Sequence, residues 1–250
     1  MKQILIIFIS ILISSYLLTS CEKEPYVGEK KNGKFHGHGT YTYSNGDKYE
    51  GDWILGKRNG KGIYIYGKGE WEGDKYEGEW KNGNKNGYGT YIYGKGEWEG
   101  DKYEGEFKDG IQNGHGTYTW SDGKKYVGDY KEGKQNGHGI LTFSDGTKYE
   151  GEFKDGIQNG HGIKTWSYGS KYVGDFKNGT QNGHGIFTWF DGREIVGEFK
   201  DGTQNGQATL TFPDGTRYEG EWKKGKEWNI TEYDKKGKMI GKFVNGLKQQ

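Results

Sequence analysis

The chain has 250 residues, with 48 glycines, 2 prolines, 20 tyrosines, 11 phenylalanines and 9 tryptophans, and a mean hydropathy of −1.07. So much glycine in so hydrophilic a chain would suit disorder, but large aromatics recur at regular spacing and alternate with polar residues, which reads as an ordered β array with a thin core. The formal charge is +1, and acids and bases interleave throughout, which excludes the basic stripe that a nucleic-acid binder uses to replace phosphate counterions.

At the N-terminus Lys2 precedes an apolar run over residues 4–18, too short and wrongly flanked for a membrane span but suited to the core of a secretory signal. Leu18-Thr19-Ser20-Cys21 follows directly, and this stretch resembles the lipobox of bacterial lipoproteins. The resemblance implies that residues 1–20 are a signal peptide and that Cys21 is acylated as the new N-terminus. It also makes residues 21–25 a short tether that holds the rest close to a bilayer. By the lipoprotein rule, Glu22 after the lipid-bearing cysteine implies an exported protein of the cell envelope, at the outer membrane if the cell has one. Cys21 is the only cysteine, so no intramolecular disulfide forms and stability has to come from packing.

From Tyr26 onward the chain repeats. Units start at Tyr26, Tyr49, Tyr76, Tyr103, Tyr126, Tyr149, Tyr172, Ile195 and Tyr218, in steps of 23 residues except for two of 27. The longer units share the block YIYGKGEWEGDKYEGE, identical at 64–79 and 91–106, which reads as a duplication within the chain. The shared pattern is Y-x-G-[ED]-[WFY]-K-x-G-x-x-N-G-[HYK]-G-x-x-x-[WFY]-x-x-G. On these residues the chain resembles the MORN repeat, a glycine- and aromatic-rich β-hairpin module, with the array over residues 26–225. Residues 226–250 are a degenerate capping repeat, atypical because one side of a terminal unit has no neighbour.

The resulting fold class is all-β, an elongated and twisted single antiparallel sheet of tandem hairpins. Each unit is expected to hold two strands of about five residues, such as Tyr149 to Phe153 and Gly162 to Trp166, joined by glycine turns at Asp155-Gly156 and Asp145-Gly146. Period-two alternation places Tyr149, Gly151 and Phe153 on one face and Glu150, Glu152 and Lys154 on the other. A ring beside glycine lies over bare backbone, giving a one-layer sheet its core.

No residue set calls for an enzyme, a cofactor or a metal. His38, His115, His138, His161 and His184 share one repeat position, and equivalent atoms about 9.5 Å apart cannot converge on one ion at ~2 Å, so the reading for them is structural. Carboxylates such as Glu106 and Glu152 recur in the same way, which leaves no acid–base pair in distinct environments. What repetition does build is rows of rings. Trp80, Phe107, Tyr130, Phe153 and Phe176 form one, and Trp120, Phe143, Trp166 and Trp189 the other; together they are the candidate groove. The resemblance implies a membrane-anchored scaffold that binds a protein partner or pairs with itself. Cell-wall glycan binding through the ring rows and phospholipid recognition are the alternatives; nucleic acid is not a partner.

Overall fold

Asn-Gly and Asp-Gly pairs between alternating strands decide where this chain reverses. At Asp155-Gly156 both residues have positive φ, 51° and 87°, the signature of a two-residue type I′ hairpin whose twist matches its strands. The computed structural model describes residues 25–249; the signal segment and Cys21 lie outside the described residues. Within them the chain forms twenty strands. The first ten are β1 (Tyr26–Lys31), β2 (Lys34–Thr42), β3 (Lys48–Ile54), β4 (Lys57–Ile65), β5 (Lys75–Lys81), β6 (Asn84–Ile92), β7 (Lys102–Lys108), β8 (Ile111–Thr119), β9 (Lys125–Lys131) and β10 (Lys134–Thr142). The rest are β11 (Lys148–Lys154), β12 (Ile157–Thr165), β13 (Lys171–Lys177), β14 (Thr180–Thr188), β15 (Glu194–Lys200), β16 (Thr203–Thr211), β17 (Arg217–Lys223), β18 (Lys226–Tyr233), β19 (Met239–Val244) and β20 (Leu247–Lys248). Each strand pairs antiparallel with its neighbours in sequence, giving one open meander with no helix in it.

The strands are longer than the expected five residues: the first of a unit runs to seven and the second to nine, as in β11 and β12. The reason is a bulge. Gly151 faces Gly162 and Phe153 faces Gln158, so one residue of β11 stands opposite three of β12, and Gly160, at φ 76°, takes up the excess inside the strand. The Gln-Asn-Gly segment thereby continues the sheet where a loop would have ended it. The two 27-residue units differ only in the connection to the next unit, which spans 66–74 and 93–101 where ordinary units use five residues such as 166–170.

Tyr149 is fully buried and Phe153 is 4% exposed, while Glu150 and Glu152 are exposed, as the alternation requires. The Tyr149 ring lies across the Gly151–Gly162 pair, and its hydroxyl donates to the Glu152 carbonyl (2.9 Å). A Cβ on Gly162 would sit 2.5 Å from that hydroxyl, so both glycines are needed for close approach. The eighth unit shows the rule by breaking it twice at once. Ile195 replaces the tyrosine, and the missing phenol leaves room for Ala208 where the first seven units hold glycine; both side chains are buried. In the ninth unit Ile230 takes the glycine position and is itself fully buried, and Tyr218 is left half-exposed.

A candidate interaction surface on the inner face

The sheet has two chemically different faces. On the inner one, each unit-starting tyrosine from Tyr49 to Tyr172 meets two rings edge-on: Tyr149 touches Phe153 of its own unit (5.1 Å between centroids) and Phe176 of the next (4.9 Å). The same pairing runs without a gap from Tyr26 to Phe199, an edge-to-face chain that is the core of the molecule. This corrects one expectation. Trp80, Phe107, Tyr130, Phe153 and Phe176 are only 4–6% exposed, because neighbouring tyrosines cover both sides of each ring, so they support the surface without lining it.

The second row is at the surface. Trp120, Phe143, Trp166 and Trp189 are half-buried against the core, and Tyr43, Tyr66, Tyr93 and Phe212 hold the same turn position in other units. Together they make eight rings along eight successive units. Each ring is fixed by its turn: Trp166 donates its amide to the Ser170 carbonyl and accepts from the Gly169 amide, both at 2.9 Å. The position just before the first strand then locks one unit to the next. Asp101 accepts from the Tyr118 hydroxyl (2.6 Å) and the Ser121 amide (2.8 Å) of the following unit; Asp74 does the same with Tyr91 and Gly94, and Asp47 with Tyr64 and Gly67. Burial alone would raise the Asp47 carboxyl, but its bonds from Tyr64, Gly67 and Asn45, with Arg58 nearby, hold it below the usual carboxylate range. Where the aspartate gives way to Lys124, Thr147, Ser170 or Arg193, the tyrosine also disappears, to Leu141, Lys164, Phe187 and Leu210.

Cations lie over the inner rings. Arg58 stands 4.3 Å from the Trp80 ring centroid and 4.9 Å from Tyr64, and donates to the Gly83 carbonyl (2.7 Å). Lys85 stands 4.3 Å from Tyr91, and burial, opposed by Asp74, pushes its pKa down to about 8. Lys124 covers Trp120 at 4.3 Å and Lys164 covers Trp166 at 5.1 Å. Single-sequence reading missed these cations and the aspartate–tyrosine locks. Both were visible as columns once units are stacked at their period: Arg58 and Lys85 stand where later units carry glutamine, and Asp47–Tyr64, Asp74–Tyr91 and Asp101–Tyr118 share one 17-residue separation.

The outer face is mixed: charged side chains flank an apolar strip of Val127, Ile140, Ile163, Val173, Ile186 and Val196, of which Ile186 and Val196 are exposed. His38, His115 and His161 pair with Asp52, Asp129 and Asp175 of the following unit at 3.2–3.3 Å, and Lys48, Lys75, Lys102 and Lys148 pair with the glutamate two residues on. Among the described residues no three His, Cys, Asp or Glu side chains are grouped to hold a metal. The histidines thus bridge consecutive units. Exposed pairs of this kind contribute little individually.

No curated protein matches this chain. Among solved structures, the TCP10 domain of Danio rerio CPAP aligns over 83% of this chain and 89% of its own at 12% identity and a TM-score of 0.39. The TCP domain of Drosophila melanogaster SAS-4, solved in complex with a proline-rich motif of Ana2, aligns over 74% and 90% at 16% identity and a TM-score of 0.37. A virginiamycin B lyase from Staphylococcus aureus aligns over 83% and 84% at 14% identity with a TM-score of only 0.18. Likeness this low carries no functional argument. The model of the MORN repeat, in contrast, matches residues 26–48, 49–71, 76–98, 103–125, 126–148, 149–171, 172–192, 196–217 and 218–228 in succession, nearly the whole described chain, and the protein belongs to the MORN repeat family.

Proposed function

We propose that this protein is a non-enzymatic scaffold of the cell envelope, anchored through acylated Cys21, whose inner face binds a protein partner or a second copy of the chain. The observation that carries this reading is the row of eight half-buried rings, Tyr43, Tyr66, Tyr93, Trp120, Phe143, Trp166, Trp189 and Phe212. Rings held rigid by turn hydrogen bonds offer contact area at small entropic cost, which is what recognition surfaces use. The absence of a reaction follows from the same repetition: acids and histidines copied in equivalent surroundings supply no pair of groups tuned apart for acid–base work.

The test is crosslinked copurification from membranes with the wild type and a Trp166→Ala, Trp189→Ala variant that still folds. The variant is expected to lose a partner that the wild type retains; identical partner profiles would refute the ring row as the binding surface. A Cys21→Ser variant is expected to move from the membrane to the soluble fraction, and its retention in the membrane would remove the anchor. Sedimentation of the acyl-free protein with purified peptidoglycan separates the glycan alternative, which requires the protein to be carried down.

A further inference from the structure

Arg58 and Lys85 are the second residues of β4 and β6, each facing the large ring of the preceding strand, Trp53 and Trp80. The same position is Gln112, Gln135, Gln158, Gln181 and Gln204 in five later units, so the fold is satisfied there by a neutral amide. Placing a cation in a half-buried aromatic setting costs desolvation that the glutamine units avoid. Among the described residues neither cation forms an ion pair with a carboxylate. Asp47 and Asp74, the acids that act on them, are already held by Tyr64 and Tyr91 and by the Gly67 and Gly94 amides. Lys124 and Lys164 extend the cationic lining over Trp120 and Trp166. The carboxylates that act on Arg58 and Lys85 are therefore engaged internally, and the two cations face rings, Arg58 with one further bond to the Gly83 carbonyl.

We propose that the inner face binds an extended acidic polypeptide segment, its carboxylates docking on Arg58 and Lys85 and continuing toward Lys124 and Lys164. This rests on the reading of the ring row as a protein-binding surface and names the chemistry of the partner. Charge complementarity selects the acid, and the rings select a chain whose stems can lie across them. The spacing selects the sequence period: one unit advances the sheet by about 9.5 Å, the length of three residues of extended chain at ~3.3 Å each. An acidic residue at every third position therefore meets one unit after another.

The experiment titrates the full-length protein into a fluorescent peptide of repeated Glu-Ser-Gly units, with the Gln-Ser-Gly analogue as control. The comparison protein is the Arg58→Gln, Lys85→Gln double variant, which carries at both places the side chain of its sister units and keeps its fold. Wild type is expected to bind the glutamate peptide in preference to the glutamine one, and the double variant to lose at least about tenfold in affinity. Raising the pH from about 7 to about 9 should weaken wild-type binding as Lys85 loses its proton; Arg58 and Asp74 are the charged groups beside it, and burial raises the Tyr76 and Tyr91 phenols, which keeps them neutral across that range. The double variant should show no such pH dependence. Equal binding of both peptides, equal binding by both proteins, no binding by the wild type, or binding only to anionic phospholipid vesicles overturns the proposal. If copurification still depends on Trp166 and Trp189 while the glutamate peptide fails, only the acidic partner falls and the ring-row reading stands.

Discussion

Gly162 carries no side chain because the Tyr149 phenol occupies the space where one would go. Gly162→Ala places a methyl 2.5 Å from the phenolic oxygen and 2.7 Å from the nearest ring carbons, and overpacking of this kind costs about 1–3 kcal/mol. The eighth unit says how to relieve it, since Ile195 and Ala208 coexist there, both buried. Adding Tyr149→Ile to Gly162→Ala should therefore cost less than the sum of the two single changes, measured by urea unfolding in a double-mutant cycle. Strict additivity would show that ring and glycine do not share the space described. The sequence showed Ile195 and Ala208 as two separate departures from the repeat. Their coupling was illegible there because it depends on the cross-strand pairing of Gly197 with Ala208, which only the register supplies.

At the scale of the hairpin, turn chemistry is the most exposed weakness. Most units reverse through asparagine or aspartate followed by glycine, but the second uses Leu55-Gly56, with Leu55 at φ 48° and half its surface in water. A branched apolar side chain in the left-handed region is disfavoured by about 1–2 kcal/mol, and asparagine tolerates it. Leu55→Asn should raise stability by about 1 kcal/mol, read from the urea midpoint; a neutral or destabilising result would mean that Leu55 makes a contact worth more than the strain. The turns and the alternation were legible from sequence because glycine, asparagine and aspartate mark them directly. The strand lengths were not: the Gln-Asn-Gly bulge has the composition of a loop but keeps its pairing with the next strand, where Gly160 faces Phe176 and His161 faces Asp175.

Across the whole molecule, stability and recognition draw on the same rings. The tyrosines of the core, Tyr49, Tyr76, Tyr103, Tyr126, Tyr149 and Tyr172, have their pKa raised by burial and next by nearby acids such as Asp52, Glu152 and Asp175, with Tyr172 pushed up to about 12 and the others further. A folded-state pKa above the unfolded value of ~10 contributes stability that is fully present below pH ~10 and is lost as pH rises through the folded value. The array should therefore unfold in alkali, with phenolate absorbance of the core tyrosines appearing together with loss of the β signal; ionisation well before unfolding would show the rings to be accessible. The fold class, the repeat starts and the inner and outer faces were all readable in the sequence from periodicity. The division of the rings was not, because Phe153 and Trp166 are chemically alike in sequence and differ only in how many tyrosines surround them: two cover Phe153, whereas Trp166 has one side on water.

The central claim is that repetition turns the second ring row into a binding surface while the outer face stays free. Site-specific photo-crosslinking in intact cells tests it most directly, with a photoreactive residue placed in turn at the inner positions Phe143, Trp166 and Trp189 and at the outer positions Glu150, His161 and Asp175. The account predicts one shared crosslinked partner from the inner positions and none from the outer ones. The same crosslinks from both faces, or crosslinks from the outer face alone, would contradict it.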